Sequence, residues 1–366
     1  MEKIRSKYIL KQIFDNIQQI RLLEMIRYNN GFKKKLEKNL NDYKKEFLKI
    51  EIEIIPKDEI YGDCNILNKK YKSYAHIYFN DDKVEKKVNT FNKNDNIKKI
   101  KIILDYKIKS LTKLFKDCYF IKSINFIWFR REDIIDMSYM FYMCSSLEEL
   151  IFTNIKTNNI INMEYIFFGC KNLKELNLSN FITNKVNNMN HMFCHCCSLK
   201  KLDLSDFNTQ NVIDISHMFD GCYLLEDLNI SNFNTINVTN MNGVFTNCLS
   251  LKELNLSNFN TQNVNNMKSM FFGCTSLKSI NLCNFNTNKV TTFYEMFSEC
   301  KSLEKLDLSS FRTQNVKNMS NMFYRCLSLK DLNIPYFDTR NINVRGMLKY
   351  CSIVRINCSN GYIKLN

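Results

Sequence analysis

The 366-residue chain carries 52 Lys and Arg against 37 Asp and Glu, a formal net charge of +15, with 45% hydrophobic residues, 8 Gly and 2 Pro. That balance describes a folded chain rather than a disordered one, and so little Gly and Pro excludes long flexible linkers. The charge is uneven: residues 1–117 hold 28 Lys and Arg against 17 Asp and Glu. A basic N-terminal part suits an acidic partner, a nucleic acid or a membrane surface. A solvated lysine surface is the simpler account of it, and no stacking-aromatic or RNA-binding signature accompanies the charge.

The first 15 residues are interrupted by charge throughout and hold no apolar core of signal-peptide length. No run approaches the roughly 20 apolar residues of a membrane span. These features predict a cytoplasmic protein whose 15 Cys stay mostly free thiols, with the cell surface as the alternative. In residues 1–50, Ile9, Ile13, Ile17, Ile20, Leu23 and Ile26 recur at helical spacing, as do Phe32, Leu36 and Leu40, with Gly31 between the two sets. This segment is expected to form helices that pack as a cap. Within it, Ser6 to Ile17 and Leu22 to Asn29 resemble the first two helices of an F-box. That resemblance implies a ubiquitin-ligase substrate adaptor acting through residues 6–40; the usual Leu-Pro start and later Trp are missing. Residues 51–96 read as a mixed region of short strands and polar loops, clearest at Glu51-Ile52-Glu53-Ile54.

Residues 97–366 are organised by a repeat. Cys118, Cys144, Cys170, Cys196, Cys222, Cys248, Cys274, Cys300 and Cys326 are each 26 residues from the next, and columns of Phe (Phe181 to Phe337) and Thr (Thr183 to Thr339) keep the same step. Each unit has two halves. Leu199, Leu202 and Leu204 follow the L-x-x-L-x-L template of a short strand. Val212, Ile215, Met218, Phe219 and Cys222 sit at the spacing of one helix face. Between them, Thr209 or Asn211 is placed to cap the helix N-terminus. Template strands start near residue 97 and then from 121 onward, about ten strand–helix units in all. The expected fold class is therefore α/β: a leucine-rich-repeat solenoid with a concave parallel β-sheet, convex helices and a mainly helical N-terminal cap. The curvature follows because packed helices need about 8–10 Å where strands need about 4.8 Å.

The repeat string beginning Met270-Phe271-Phe272-Gly273-Cys274 closely resembles the BspA-like leucine-rich-repeat family over roughly residues 108–345. The resemblance implies binding or adhesion without catalysis, and it implies surface proteins; the missing export signal departs from that pattern.

Three groups of residues are candidates for function. The cysteine column falls on the apolar face, where a thiol acts as a small hydrophobe. His191, Cys194, His195 and His217 gather in two adjacent units; read as one exposed helix face, His191 and His195 have a spacing that can hold a transition metal. On the sheet, Glu149, Glu175, Lys201, Asp227, Glu253, Lys305 and Asp331 form a column of mixed sign beside uniform Asn, Asp and Ser columns. A complementary protein or peptide would read the varying column. No phosphate-binding loop, dinucleotide fingerprint, zinc-protease motif or nucleophile elbow is present. The reading is a non-enzymatic protein-binding scaffold holding a protein or peptide, with no cofactor, no small-molecule substrate and no role for nucleic acid. The alternatives are a surface adhesin and the F-box-like adaptor.

Overall fold

A computed structural model describes Lys45, residues 48–153 and residues 155–358. Most of the segment expected to be helical, including the F-box-like stretch at 6–40, lies outside the described residues.

The described N-terminal part is a β-sheet. β1 (Ile50–Pro56) buries Ile50, Ile52 and Ile54 and turns Glu51 and Glu53 outward, the period-2 alternation of a strand with one face on a core. It pairs antiparallel with β5 (Ile100–Leu104) on one side and with β6 (Ile121–Phe129) on the other. β3 (Ala75–Phe79) adds to β5, and β7 (Glu149–Phe152) joins β6 in parallel, while β2 (Cys64–Asn65) and β4 (Thr90–Phe91) form a separate antiparallel pair. The order is thus β3-β5-β1-β6-β7. β6 is the hinge of the architecture: one edge belongs to an antiparallel sheet and the other begins the repeat stack. Two expectations are corrected here. The stack's N-terminal end is closed by β-strands, where a helical cap was expected. The template strand starting at Ile97 also does not join the parallel stack, because β5 pairs antiparallel with both neighbours.

From β6 onward the chain winds in stacked rungs. On one side lie short parallel strands: β8 (Lys201–Asp203) against β9 (Asp227–Asn229), then β10 (Lys305–Asp307), β11 (Asp331–Asn333) and β12 (Arg355–Asn357). The template leucines point inward, and Leu199, Leu202 and Leu204 are all buried. This strand ladder is broken: the rungs at 173–178, 251–256 and 277–282 form no strand, and Leu228, Leu254 and Ile280 are only partly buried.

The other half of each rung is not a helix, which overturns the α/β assignment: the described solenoid is β strands and turns. In the rung from Met189 to Cys196, the amides of Met189, His191, Phe193 and His195 donate to the next rung's Asp214, Ser216, Met218 and Asp220 carbonyls, at 3.1, 2.9, 2.9 and 2.7 Å. The alternating amides of Met192, Cys194 and Cys196 fold back onto Met189, His191 and Phe193 in the same rung. Two consecutive tight turns result, each needing a residue with positive φ: His191 at 52° and His195 at 58°. An α-helix uses its amides internally and admits no such residue. The apolar spacing of three and four residues is met by two four-residue turns as well as by a helix, which is why the periodicity misled. Asn and Asp ahead of the turns tip the choice. Asn188 Oδ1 accepts the Asn190 amide at 3.1 Å, as Asn162, Asp214 and Asn240 do in their own rungs. Such side chains favour turns over helices.

This turn side is the more regular of the two. Single-residue parallel bridges run unbroken from Asp136 through Asn162, Asn188, Asp214, Asn240, Asn266, Thr292 and Asn318 to Asn343. Phe115, Phe141, Phe167, Phe193, Phe219, Phe245, Phe271, Phe297 and Phe323 stack in one column with centroids 5.3–5.9 Å apart. In the second Phe column, Phe233–Phe259 and Phe285–Phe311 stand 6.4 and 6.2 Å apart. Without helices the argument for a concave strand face lapses.

Between the two sides lies a buried threonine ladder. Each hydroxyl donates to a carbonyl 25 residues ahead and accepts that residue's amide: Thr235 holds Asn260 at 2.9 and 2.8 Å, and Thr209 holds Asn234 at 3.0 and 2.7 Å. The expected helix-capping role of Thr209 is replaced by this bond between rungs, and Asn211 instead donates to the Asn184 carbonyl. Thr235→Val keeps the shape and removes both bonds. It should cost about 1–3 kcal/mol in urea unfolding, since a backbone amide and carbonyl lose their partners. Thr239→Val, at an exposed position, should change stability by less than about 0.5 kcal/mol.

Candidate functional site

The cysteine column is built into the same bonding scheme. Cys196 Sγ donates to the Phe167 carbonyl at 3.3 Å, Cys222 to Phe193 at 3.2 Å and Cys248 to Phe219 at 3.3 Å, each 29 residues back. That carbonyl also accepts an amide from its own rung, as Phe193 does from Cys196. The thiols are fully buried, and burial pushes the acidities of Cys196, Cys222 and Cys248 well above the ordinary thiol range. They are therefore unreactive as nucleophiles and as metal ligands. Cys283, by contrast, is exposed. Brief treatment of native protein with a maleimide should label Cys283 first, with the column from Cys144 to Cys326 labelled only after denaturation. Rapid native labelling of Cys222 or Cys248 would contradict this placement.

The histidine cluster is brought together, though not on a helix face. His191 lies in a row of stacked rings, with Tyr165 on one side at 4.3 Å and His217 on the other at 4.7 Å; Tyr139 continues the row beyond Tyr165 at 4.7 Å. Burial, then the neighbouring His217, pushes the His191 pKa down to about 4, so the ring is neutral at pH 7. Both nitrogens of His217 are taken: Nδ1 lies 2.9 Å from Asp220 Oδ2 and Nε2 lies 2.9 Å from the Asn242 amide. Cys194 is buried, and burial raises its thiol pKa. His195 leans over Gly221, where a Cβ would stand 2.4 Å from His195 Nδ1. Among the described residues no group of three or more His, Cys, Asp or Glu is arranged to hold a metal ion. Of the expected ligand set His191, Cys194, His195 and His217, the three histidines are half-buried on two neighbouring rungs and Cys194 is buried.

On the strand side, Glu149, Glu175, Lys201, Asp227, Glu253 and Lys305 are exposed and Asp331 is half-buried. The register aligns them: Lys201 stands opposite Asp227, and Lys305 opposite Asp331 and then Arg355. Part of the column is internally compensated, since Lys201 reaches Asp227 at 3.7 Å and Arg355 holds Asp331 at 2.6 Å. The neighbouring Asn and Asp column is structural. Asn177, Asp203, Asn229 and Asn255 each accept the amide two residues on, and Asn333 and Asn357 donate back along the column to Asp307 and Asn333.

One residue missed by pattern reading is Arg131, which occupies the threonine column one repeat before Thr157. Its buried guanidinium binds Asp133 at 2.6 Å and the Ile108 and Leu48 carbonyls at 2.6 and 3.1 Å, joining the N-terminal sheet to the first rungs. Burial alone would raise the Asp133 pKa, but bonds from Arg131 and Lys109 hold it below the usual carboxylate range. Counting the 26-residue register backwards from Thr157 finds this position.

The sequence profile of the family described as "Mycoplasma protein of unknown function, DUF285" matches residues 109–227, 196–282 and 252–360. No curated protein matches the chain. Among solved structures, the TLR13–ssRNA13 complex is similar over 57% of this chain and 35% of that one, at 18% identity and a TM-score of 0.25. The Toll–Spatzle complex of Drosophila is similar over 63% of this chain and 37% of that one, at 15% identity and a TM-score of 0.25. The chain thus spans little more than a third of either.

Proposed function

The chain belongs to the family of Mycoplasma proteins of unknown function, DUF285, and from that premise we propose that it is a non-enzymatic scaffold that holds a protein or peptide partner on its strand face. One observation carries this reading. The columns of Phe, Cys and Thr, and the Asn, Asp or Thr ahead of the turns, are committed to bonds and packing between rungs. The column that varies in charge is exposed at Glu149, Glu175, Lys201, Asp227, Glu253 and Lys305 and half-buried at Asp331. Within it, Glu175 and Glu253 form no ion pair among the described residues, so their charge is available to a partner's cations. Exposed charges of this kind steer association and select a partner more than they add stability. No helix of the described residues is long and apolar enough to cross a membrane. The scaffold is proposed for the cytoplasm, and the surface-adhesin reading would put the same face outside the cell.

The test is affinity purification of the tagged full chain with mass spectrometry, alongside a variant carrying Lys201→Glu, Asp227→Lys and Glu253→Lys. Recovery of the specific partner should fall about tenfold or more, while thermal stability stays close to the parent's, because exposed charges contribute little to folding. Unchanged recovery would remove the strand face from consideration. Surface labelling of intact cells would decide between the scaffold and the adhesin.

A further inference from the structure

The strand face opens in mid-stack. The rungs at 251–256 and 277–282 form no strand, and the amides of residues 252–256 and 278–282 have no acceptor among the described residues. The leucine column changes at the same place. Leu150, Leu176, Leu202, Leu306 and Leu332 are buried, whereas Leu228, Leu254 and Ile280, on three consecutive rungs, are only partly so. The rung at 173–178 also lacks a strand, yet Leu176 stays covered there. Aliphatic surface is thus uncovered where two neighbouring rungs fail to ladder.

Charge is left over at the same rungs. To one side Lys201 reaches Asp227 at 3.7 Å, and to the other Arg355 holds Asp331 at 2.6 Å. Between these pairs the varying column reads Glu253, Ser279, Lys305, and both charged residues are exposed with no ion pair among the described residues. Ser279 is short where its neighbours are long, so the surface dips between a carboxylate and an ammonium. A cleft of about 540 Å³ begins at Ser279 and Ile280 and runs over Lys305 toward Asp331. The adjacent Lys252, Lys278 and Glu304 are exposed too. The rim therefore carries both signs and favours a partner that does the same.

Building on the strand-face reading, we propose that this window binds an extended peptide segment of the partner, one that carries aliphatic side chains between a basic and an acidic residue. The aliphatic part covers Leu254 and Ile280 at the dip over Ser279, the basic residue meets Glu253, and the acidic residue meets Lys305. Glu253 and Lys305 are two rungs apart, about 10 Å along the stack, which an extended chain spans in about three residues. The basic and acidic residues of the segment are therefore three positions apart. An apolar anchor inside a charged rim concentrates the binding energy at the anchor and leaves the charges to set the register.

Cys283 is exposed on the same rung as Ser279 and serves as a native reporter. The experiment measures the rate of maleimide labelling of Cys283 in the full chain against rising concentrations of the end-capped peptide Gly-Lys-Ile-Val-Glu-Gly. Labelling should slow saturably, and the same peptide with Ser-Ser in place of Ile-Val should leave it unchanged. Glu253→Lys, and separately Ser279→Arg, which fills the dip, should weaken the protection about tenfold or more relative to each variant's own free rate. Both should keep the parent's melting temperature, since both positions are exposed. Absence of saturable protection, equal protection by the Ser-Ser peptide, or undiminished protection in both variants would overturn the proposal. Affinity purification separates the window from the strand face as a whole. If Lys201→Glu with Asp227→Lys lowers recovery of the partner while Glu253→Lys and Ser279→Arg leave it intact, the strand face stands and the window falls. Loss of recovery in Glu253→Lys and Ser279→Arg alone supports the window.

Discussion

The structure depends on one bond, repeated: an amide in the turn half of a rung reaching a carbonyl in the next rung. Because only alternate amides make it, the others fold back and create two tight turns, and the left-handed residues follow from those turns. Because it sets the rungs at β spacing, like residues fall on like residues. The Phe column stacks, each Cys thiol finds the carbonyl of the Phe one rung back, and each Thr hydroxyl clasps both backbone groups of a single residue in the next rung. A stack bonded this way is quasi-one-dimensional: its stability resides in interfaces between neighbours. Its ends therefore need special treatment. At the N-terminal end β6 turns its free edge to an antiparallel sheet, and Arg131, one repeat before Thr157, ties the Leu48 and Ile108 carbonyls to the start of the stack.

Much of this was legible in the sequence. The 26-residue period, the inward leucines, the buried cysteines and the alternation in Glu51-Ile52-Glu53-Ile54 are direct consequences of side chains that must face a core. The turn half was not legible, because Val212, Ile215, Met218 and Phe219 satisfy a helix and a pair of turns alike. Propensity held the discriminating signal: Asn188, Asp214 and Asn240 recur ahead of the turns, and Gly169, Gly221 and Gly273 sit at a left-handed position in every second unit. Those glycines also make room, since Met143, His195 and Asn247 fold over them. The same error displaced the histidines. On a helix His191 and His195 would share a face, whereas on consecutive turns His191 joins a row of rings and His195 covers a glycine.

The proposed strand face offers side-chain charge that varies from rung to rung over a broken ladder, a surface suited to selecting a macromolecular partner. It uses neither the cysteine column nor the aromatic row, which are occupied with holding rungs together.

The most direct test of the central claim is amide hydrogen exchange on the full chain, read residue by residue. If the turn-side ladder carries the stack, the amides of Phe193, Phe219 and Phe245 should exchange far more slowly than those of Leu254 and Leu256 in the unladdered strand side. The reverse order, with strand-side amides the most protected and the turn side open, would contradict it.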